Sequence, residues 1–375
     1  MKYSLVLAAL LSVSLYAEGL EEAFKNATYD GHIRAGFQNQ DEGELSIGGK
    51  LHMQTAPVNG ISFGTSFYTT QGVDEKHNDG VAFFSSDRHS YSILGEAYLQ
   101  AEIKNTLVKV GRQEIDTPYA DTDDIGMIPN TFEALTVVNS DIVDTTIVLA
   151  HLQKMSGVDA EIPEKFTKLN SSDGVQAVGI TYEGVEDLTL QGWFYNASDF
   201  VKLTYLEADW AGSFSGFGVG VAGQYTIQDY DNGNEVSVYG INLTLGLEEQ
   251  GLTFHTAYNK ADSTNGQVAE NFFGGGPFFI SCEHLTMAEA GENGEAYRFG
   301  VEVDGGSYGV EGLGFTFSYL GAEGDGGSDL NEIDIVASYA LNEQLSFDLI
   351  YSDTTDHSDD AGSFTNTRFF ANYRF

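Results

Sequence analysis

The stretch Tyr29-Asp-Gly-His-Ile-Arg-Ala-Gly-Phe-Gln38 decides the fold, because its residue types alternate along the chain with a period of two. Ile33 and Phe37 fall on one side together with small residues, whereas His32 and Arg34 fall on the other. Successive side chains of a β-strand point to opposite faces of a sheet. The stretch therefore predicts a strand with one apolar face and one polar face.

The same alternation returns in about eighteen segments, mostly of about ten residues, along the whole chain. These candidate strands lie near residues 27–38, 43–56, 60–71, 93–104, 106–114, 134–140, 143–152, 174–183, 187–198, 200–210, 216–230, 235–248, 251–260, 296–305, 311–321, 331–341, 344–353 and 365–375. Short connections such as 341–344 alternate with long ones such as 259–296. Outer-membrane barrels cross the bilayer with tilted strands of about nine to eleven residues, and have short periplasmic turns and long outer loops. The pattern predicts an all-β fold, a transmembrane antiparallel up-and-down β-barrel of about eighteen strands.

Residues 1–17 have the features of a secretory signal peptide, with a basic Lys2, a short apolar core and the small residue Ala17 at the end. We expect cleavage after Ala17, so that residues 18–375 form the exported barrel. No later segment contains the roughly eighteen consecutive apolar residues that a membrane helix requires. Cys282 is the single cysteine and cannot form an internal disulfide.

The last segment, Thr365 to Phe375, also alternates and ends on an aromatic residue. Phe369, Tyr373 and Phe375 share one face of this predicted strand with Ala371. The pattern is similar to the signal by which the barrel-assembly machinery recognises outer-membrane proteins for insertion. Together with the signal peptide, it predicts assembly in the bacterial outer membrane.

The charge balance is strongly acidic, with 17 Lys and Arg residues against 56 Asp and Glu residues. Nucleic acid is excluded as a partner, because binding to phosphates requires clustered cations. Cations and the outer-membrane lipid and lipopolysaccharide, whose surface is rich in divalent ions, fit this charge.

A long acidic loop between two predicted strands is the candidate functional element. The segment from Val110 to Ala134 contains Pro118 and Pro129 and is rich in carboxylates. Its acidic residues are Asp116, Asp121, Asp123, Asp124 and Glu133. Long ordered loops in compact folds are usually functional, so we expect residues 115–134 to fold into the barrel and narrow it. The alternative is an ordinary solvated surface loop.

The sparse cations form the second candidate set. We predict a basic track in the lumen made of Arg34, Lys50, Lys109, Arg112, Arg298 and Arg368. Arg374 also falls among the polar residues of its segment. A charge that faces lipid near mid-bilayer costs about 2–4 kcal/mol, so these side chains should face the lumen or an interface. The alternative is a set of scattered polar residues that share no field.

Several local motifs carry no chemistry in this sequence. Gly218 to Gly223 matches G-x-G-x-x-G but lies inside a strand pattern rather than before a helix. Gly324 to Asp329 is a single copy of a calcium-repeat fragment and fits a hairpin turn. The eight histidines have no paired metal-ligand spacing. We predict no enzyme, no cofactor and no metal site, although distant Ser, His and Asp residues could still meet in a barrel hydrolase.

The segments Gly111 to Pro118 and Asp123 to Ala134 resemble the OprD-type porins of Gram-negative outer membranes. More loosely, Gly19 to Asn26 and the terminal strand resemble the major outer-membrane porins of campylobacter-type bacteria. The resemblance implies an eighteen-stranded, monomeric or trimeric channel through which small water-soluble solutes pass passively. It also implies a third outer loop that folds inward opposite a ladder of basic residues.

By position, this resemblance places the pore constriction at seven residues. They are Asp116, Tyr119, Asp121, Asp123, Asp124, Met127 and Phe132. Related porins often read Asp-Asp-Ile-Arg where this chain has Gly126, and the total number of cations here is low. The departure argues against a carboxylate-selective ladder and favours cations or neutral solutes.

The sequence therefore predicts an outer-membrane porin, a passive diffusion channel for small hydrophilic solutes and ions that is cation-preferring or weakly selective. The first alternative is a non-transporting surface barrel, such as an adhesin or a receptor, with a filled or plugged lumen. The second alternative is an exported soluble β-protein, which would have polar residues where a lipid-facing apolar belt is predicted. The first alternative differs from the porin in requiring a filled lumen. The second differs in requiring polar side chains on the outward faces of the strands.

Overall fold

The computed structural model describes residues 17–40, 43–73, 83–170, 174–325, 329–358 and 362–375. The predicted signal peptide lies outside these residues, apart from Ala17. One short helix, α1 (Ala17–Lys25), precedes the strands and packs at the end of the barrel that carries the short turns, where the backbone N–H of Ala56 donates to the Ala23 carbonyl oxygen. Among the described residues, no helix is both long and apolar enough to cross a bilayer.

The rest of the fold is almost entirely β-sheet. The strands are β1 (Thr28–Asn39), β2 (Gly43–Gln54), β3 (Ile61–Gly72), β4 (Tyr91–Ile103), β5 (Thr106–Gln113), β6 (Thr131–Asn139), β7 (Thr145–Ser156), β8 (Thr167–Lys168), β9 (Val175–Val185), β10 (Leu188–Ala197), β11 (Val201–Phe214), β12 (Phe217–Tyr230), β13 (Glu235–Leu247), β14 (Leu252–Ser263), β15 (Glu292–Asp304), β16 (Leu313–Asp325), β17 (Asp329–Ala340), β18 (Leu345–Asp356) and β19 (Phe364–Arg374). Two single 3₁₀ turns, Glu248–Gln250 and Gly305–Tyr308, lie in short connections.

The sheet closes on itself. Each wall strand pairs antiparallel with its chain neighbours, and β1 pairs with β19 in a register that sets Ile33 opposite Tyr373. The two-residue β8 pairs only with the end of β7, and β7 pairs directly with β9, so eighteen strands form the wall. Each described wall strand is therefore paired on both sides, and a sheet in lipid must be closed in this way because an unpaired edge would leave backbone groups without hydrogen bonds. The predicted barrel of about eighteen strands is confirmed.

The two faces of the wall are inverted relative to those of a soluble protein. The outward face exposes large apolar side chains, including Ile33, Leu51, Leu99, Phe254, Phe299 and Leu349. Polar side chains on the inward face are buried, including Gln38, Ser46, Ser66, Gln224, Thr226 and Ser352. Each exposed apolar side chain would forfeit about 1.5–3 kcal/mol in water, so this belt requires a lipid environment. The prediction of a lipid-facing belt is confirmed, and the soluble alternative is wrong.

Some strands begin earlier than the sequence indicates. Strand β6 begins at Thr131 rather than near 134, and β15 begins at Glu292 rather than near 296. In both places the backbone pairing continues above the apolar belt, for example between Thr131 and Ser156. The apolar alternation predicts the part of a strand that crosses the lipid, and it does not report the pairing above it.

Candidate channel constriction

The loop of residues 114–130 connects β5 to β6 and is anchored to the inner wall by Tyr119. This tyrosine is fully buried, and its hydroxyl lies 2.7 Å from the hydroxyl of Thr226 and accepts a hydrogen bond of 3.2 Å from Gln228. Its ring meets that of Tyr195 edge-on, with ring centroids 5.7 Å apart. A buried tyrosine contributes a large apolar surface when its hydroxyl is satisfied. The loop is thus fixed to β10 and β12.

The same loop is also held by β1 and β19, on the other side of the wall. Arg34 binds both carboxylate oxygens of Asp124, at 2.7 and 2.9 Å, and donates a further bond to the Gly126 carbonyl oxygen. Arg368 donates to the Ile125 carbonyl oxygen at 2.9 Å. Bidentate arginine–carboxylate pairs fix geometry as well as adding energy. Because β1 and β19 are far from β12 in the strand order, residues 119–126 run across the lumen.

A second loop, residues 264–291 between β14 and β15, also folds inward. The backbone N–H of Phe273 donates to the carbonyl oxygen of Tyr119 at 3.2 Å. Farther along, Arg298 of β15 donates to the Ser281 carbonyl oxygen at 2.9 Å. The apolar side chains of loop 264–291 are buried against the wall and the first loop, and they include Phe273, Phe278, Ile280, Leu285 and Met287. The two loops therefore form one packed layer inside the barrel.

A cavity of about 470 Å³ opens where these two loops meet. Its acidic lining consists of Asp121, Asp123, Asp159, Glu283 and Glu289. Asn271 and His284 contribute further polar groups, and the backbone of residues 274–276 closes one side. Among the described residues that line this cavity there is no lysine or arginine. The acidic side chains of the lining thus come from three separate loops, and Arg368 pairs with one of them, Glu283.

The loop carboxyls in this cavity do not titrate like exposed ones. Burial raises the pKa of Asp121 to about 6, although the backbone N–H of Gly275, 3.1 Å away, partly counteracts the shift. Burial, followed by repulsion from Asp159, raises the pKa of Asp123 as well. Desolvation and like charges both disfavour the ionised form of a carboxyl. These two groups consequently exchange protons in a pH range where an ordinary aspartate is fully ionised.

Five of the predicted lumen cations do face the inside, and each has a bonding partner. They are Arg34, Lys50, Lys109, Arg298 and Arg368. The Lys50 ammonium lies 2.8 Å from Glu114 and 3.2 Å from Glu96. Lys109 lies 3.6 Å from the same Glu96, and Arg368 pairs with Glu283. Arg298 binds the Ser281 carbonyl and the hydroxyl of Ser318. Four of the five charges are thus compensated by carboxylates.

Arg112 does not belong to this set. It follows Lys109 by three residues in a regular strand, so the two side chains point to opposite faces of β5. The Arg112 guanidinium instead donates to the Leu94 carbonyl oxygen and lies over the ring of Phe166, 4.2 Å from its centroid. Arg374 is exposed at the end of β19, near the short turns.

The seven residues predicted for the constriction divide into four kinds. Tyr119, Met127 and Phe132 are buried and support the loop rather than line an opening. Asp121 and Asp123 line the cavity, and Asp124 is the partner of Arg34. Asp116 is exposed and accepts bonds from the backbone and hydroxyl of Thr122 within the same loop. The structure thus brings two of the seven together in one cavity.

Sequence reasoning missed the contribution of residues 264–291 and of Asp159. The only local signals were the aromatic pairs Phe272-Phe273 and Phe278-Phe279, which are unusual in a solvated loop, and the glycine run Gly274-Gly-Gly276. Asp159 carries no such signal, and the side-chain amide of Asn130 donates to it at 2.5 Å. Its role arises only because the connection between β7 and β9 packs against the first loop.

The predicted assembly residues lie at the seam of the barrel. Phe369, Tyr373 and Phe375 are exposed, and Phe369 and Tyr373 lie on the outward face of β19. The backbone of Phe375 exchanges two hydrogen bonds of 3.1 Å with Gly31 of β1. The C-terminal residue therefore takes part in closing the sheet, and its role as an assembly signal remains a prediction.

Comparisons with solved structures agree with this architecture. The chain is similar to OpdK of Pseudomonas aeruginosa, solved with vanillate, with a TM-score of 0.83 and 14% identity over 94% of this chain and 99% of that chain. It is similar to a BenF-like porin from Pseudomonas fluorescens Pf-5, with a TM-score of 0.82 and 14% identity over 94% of this chain and 99% of that chain. It is also similar to OccAB4 of Acinetobacter baumannii, with a TM-score of 0.80 and 16% identity over 93% of this chain and 98% of that chain. At these identities the likeness shows the fold.

The family follows from a comparison with protein-family models. No curated protein sequence matches the chain. The model described as outer membrane porin, OprD family, matches residues 64–375, which is most of the sequence and includes both inward loops. This match supports the channel rather than the non-transporting surface barrel, and it places the protein in the bacterial outer membrane. The chain belongs to the OprD family of outer-membrane porins.

Proposed function

We propose that this porin is a passive diffusion channel for small hydrophilic solutes and ions that prefers cations, and that its filter is the cavity between loops 114–130 and 264–291. The proposal rests on one observation above all, the lining of that cavity. Among the described residues it contains five carboxyl groups and no lysine or arginine, and four of the five, all except Glu283, form no ion pair with a cation. Fixed carboxylates that line a pore attract cations and repel anions.

The state of the lumen cations supports the same direction. Arg34, Lys50, Lys109 and Arg368 each lie next to a carboxylate. A cation whose charge is compensated within about 4 Å has little field left for a passing anion. Three of these pairs hold a loop to the wall and the Lys109–Glu96 pair joins two wall strands, so the cations contribute geometry rather than a positive track. This argument favours the weakly selective or cation-preferring channel over a carboxylate-selective one.

The other end of the barrel has the same sign of charge. A depression of about 670 Å³ beside the short turns is lined by Asp187, Asp209 and Glu248 together with inward-facing glycines of β12 and β13. Acidic groups at a mouth raise the local concentration of cations by attraction over several ångströms. A cation that has passed the cavity would therefore meet a second acidic region before it leaves.

The test is the ion selectivity of single channels in planar bilayers. In a KCl gradient, the wild-type reversal potential is expected to show preference for K⁺, and the variant Asp121→Asn with Asp123→Asn is expected to lower that preference. Asp262→Asn is the matched control, because Asp262 lies on the outward face of β14 and carries the same charge. An unchanged ratio in the double variant, or an equal change in the control, would remove the cavity from the filter.

A further inference from the structure

Two carboxylates of β17 lie side by side under the second inward loop. Glu332 and Asp334 are two residues apart, so both point to the lumen, and their exposed fractions are 0% and 3%. Cys282 of loop 264–291 lies directly over them. The thiol sulfur and one oxygen of each carboxylate are all within 4.8 Å of one another.

No cationic side chain among the described residues pairs with either carboxyl group. The two groups lie within hydrogen-bond reach of each other, and Asp334 also accepts a bond of 3.4 Å from the backbone N–H of Glu283. Glu332 accepts bonds from the backbone N–H groups of His284 and Leu285, at 2.9 and 2.7 Å. The guanidinium of Arg298 on β15 donates to the Ser281 carbonyl and the Ser318 hydroxyl instead. Two adjacent buried carboxylates without a counter-ion are costly.

Further oxygen atoms around the pair are also unsatisfied. Oδ1 of Asp334 is buried and accepts no hydrogen bond from the described residues. Ser352 and Thr354 lie directly across from Asp334 and Glu332 on β18, and their hydroxyls are equally buried and unpartnered. Buried polar atoms nearly always have a partner. Three buried oxygens without a partner among the described residues therefore surround two carboxyl groups and a thiol.

The donor set identifies the class of ligand. Ca²⁺ and Mg²⁺ prefer oxygen ligands alone, whereas Zn²⁺ combines thiolate with carboxylate oxygen in tetrahedral sites. Cys282 and His284 also line the 470 Å³ cavity, so a hydrated ion can approach and water can complete the coordination. Ligand atoms around Zn²⁺ lie about 3.3–3.8 Å apart, given metal–ligand bonds of roughly 2.0–2.3 Å. The three ligand atoms here lie within 4.8 Å of one another, so they would have to move together by about 1 Å on binding the ion.

We propose that Cys282, Glu332 and Asp334 bind one divalent transition-metal ion of the Zn²⁺ class, which clamps loop 264–291 to the wall at β17. The ion neutralises the carboxylate pair and fixes the loop that forms one side of the cavity. Ser352 and Thr354 hold water molecules of its coordination shell. The site is separate from the carboxylates proposed for ion selectivity, and it does not depend on that selectivity.

The test is the binding of Zn²⁺ and Co²⁺ by the full chain, folded in detergent. Wild-type protein is expected to bind one Zn²⁺ in titration calorimetry, without competition from Mg²⁺ or Ca²⁺. With Co²⁺ it is expected to show thiolate-to-metal charge-transfer absorption, which can come only from Cys282 because the chain has no other cysteine. Zn²⁺ is also expected to protect this thiol from maleimide.

The variants Cys282→Ala, Asp334→Asn and Glu332→Gln are expected to weaken Zn²⁺ binding by about 100-fold or more, since even groups that only support ligands contribute about 10–100-fold. Asp353→Asn is the control, because Asp353 lies between Ser352 and Thr354 but on the outward face. Barrel closure in each variant is verified by heat-dependent migration in gels. Absence of stoichiometric binding by the wild type, tight binding by Cys282→Ala, or equal weakening in the control would each overturn the site.

Discussion

Two attachments of loop 114–130 to the barrel, at Tyr119 and at Asp124, differ in kind. At Tyr119 the attachment is a buried aromatic ring with a satisfied hydroxyl. At Asp124 it is an ion pair with Arg34 in which the Asp124 side chain is 46% exposed. The first depends on packing and is insensitive to salt, whereas a partly exposed ion pair is weakened by salt and by water.

The difference indicates how such a loop can be both placed and adjusted. The aromatic attachment decides where the loop crosses the lumen, because a buried ring has few alternative positions in a packed interior. The charged attachment, at the side of β1 and β19, decides how tightly the far part of the crossing is held. We therefore expect damage at Tyr119 to displace the whole loop, and damage at Asp124 to loosen one end.

The largest effect is expected from Tyr119→Ala. Removing a buried aromatic side chain costs about 3–5 kcal/mol, enough to detach the loop in most molecules and to produce a wider, noisier channel. Single-channel recordings should show a dominant high-conductance state. Tyr225→Ala is the control, since Tyr225 neighbours Thr226 on β12 but faces outward. A wild-type conductance in Tyr119→Ala would mean that the aromatic attachment does not position the loop.

A smaller effect is expected from Asp124→Asn and Arg34→Gln. Asp124→Asn removes the charge of the bidentate pair, and Arg34→Gln removes the pair together with the bond to the Gly126 carbonyl oxygen. A charge-assisted hydrogen bond is worth about 1.5–3 kcal/mol and the buried Tyr119 attachment remains, so the wide state should become visible without becoming dominant. The double variant should be no worse than the more damaging single variant, because both remove the same interaction. Asp116→Asn, in the same loop but bonded to Thr122 alone among the described residues, should behave like the wild type. Strictly additive effects would show that Arg34 and Asp124 act separately.

Much of the barrel could be predicted from the sequence, for a physical reason. Lipid on one side and polar contacts on the other impose a strict period of two, so Ile33 and Arg34 could be assigned to faces before any contact was known. The assignment of Arg112 to the lumen fails by the same rule, since Arg112 lies three positions after Lys109 and so faces the opposite side of the strand. The period applied consistently would have placed Arg112 on the outward face.

The interior could be predicted only in part. Asp121 and Asp123 were found because they lie in a long acidic loop, but their neighbour Asp159 comes from another loop. The contact between Phe273 and Tyr119 joins residues more than 150 positions apart, and no local periodicity reports such a contact. Tertiary contacts decide how a loop packs inward. The alternation of residue types along a strand is decided by the lipid on one face and the polar lumen on the other.

The smallest expected effect is the pH dependence of ion selectivity. It depends on the cavity carboxyls and not on the loop attachments at Tyr119 and Asp124. Because the pKa of Asp121 is about 6 and that of Asp123 is also raised, both gain charge as the pH rises through the range from about 5 to 8. Preference for K⁺ should therefore increase with pH, by roughly two- to fivefold, since one charge at 4 Å in water contributes about 1 kcal/mol. An aspartate of ordinary pKa would be ionised throughout and would give a flat profile.

The measurement is the reversal potential in a fixed KCl gradient at several pH values. The variant with Asn at positions 121 and 123 should lose the pH-dependent part while its conductance stays close to that of the wild type, because neither residue attaches the loop to the wall. Asp124→Asn should keep the pH dependence and change only the stability of the crossing. A wild-type profile that is flat between pH 5 and pH 8 would show that these carboxyls stay ionised, and that the cavity is wetter and less crowded with charge than its geometry indicates.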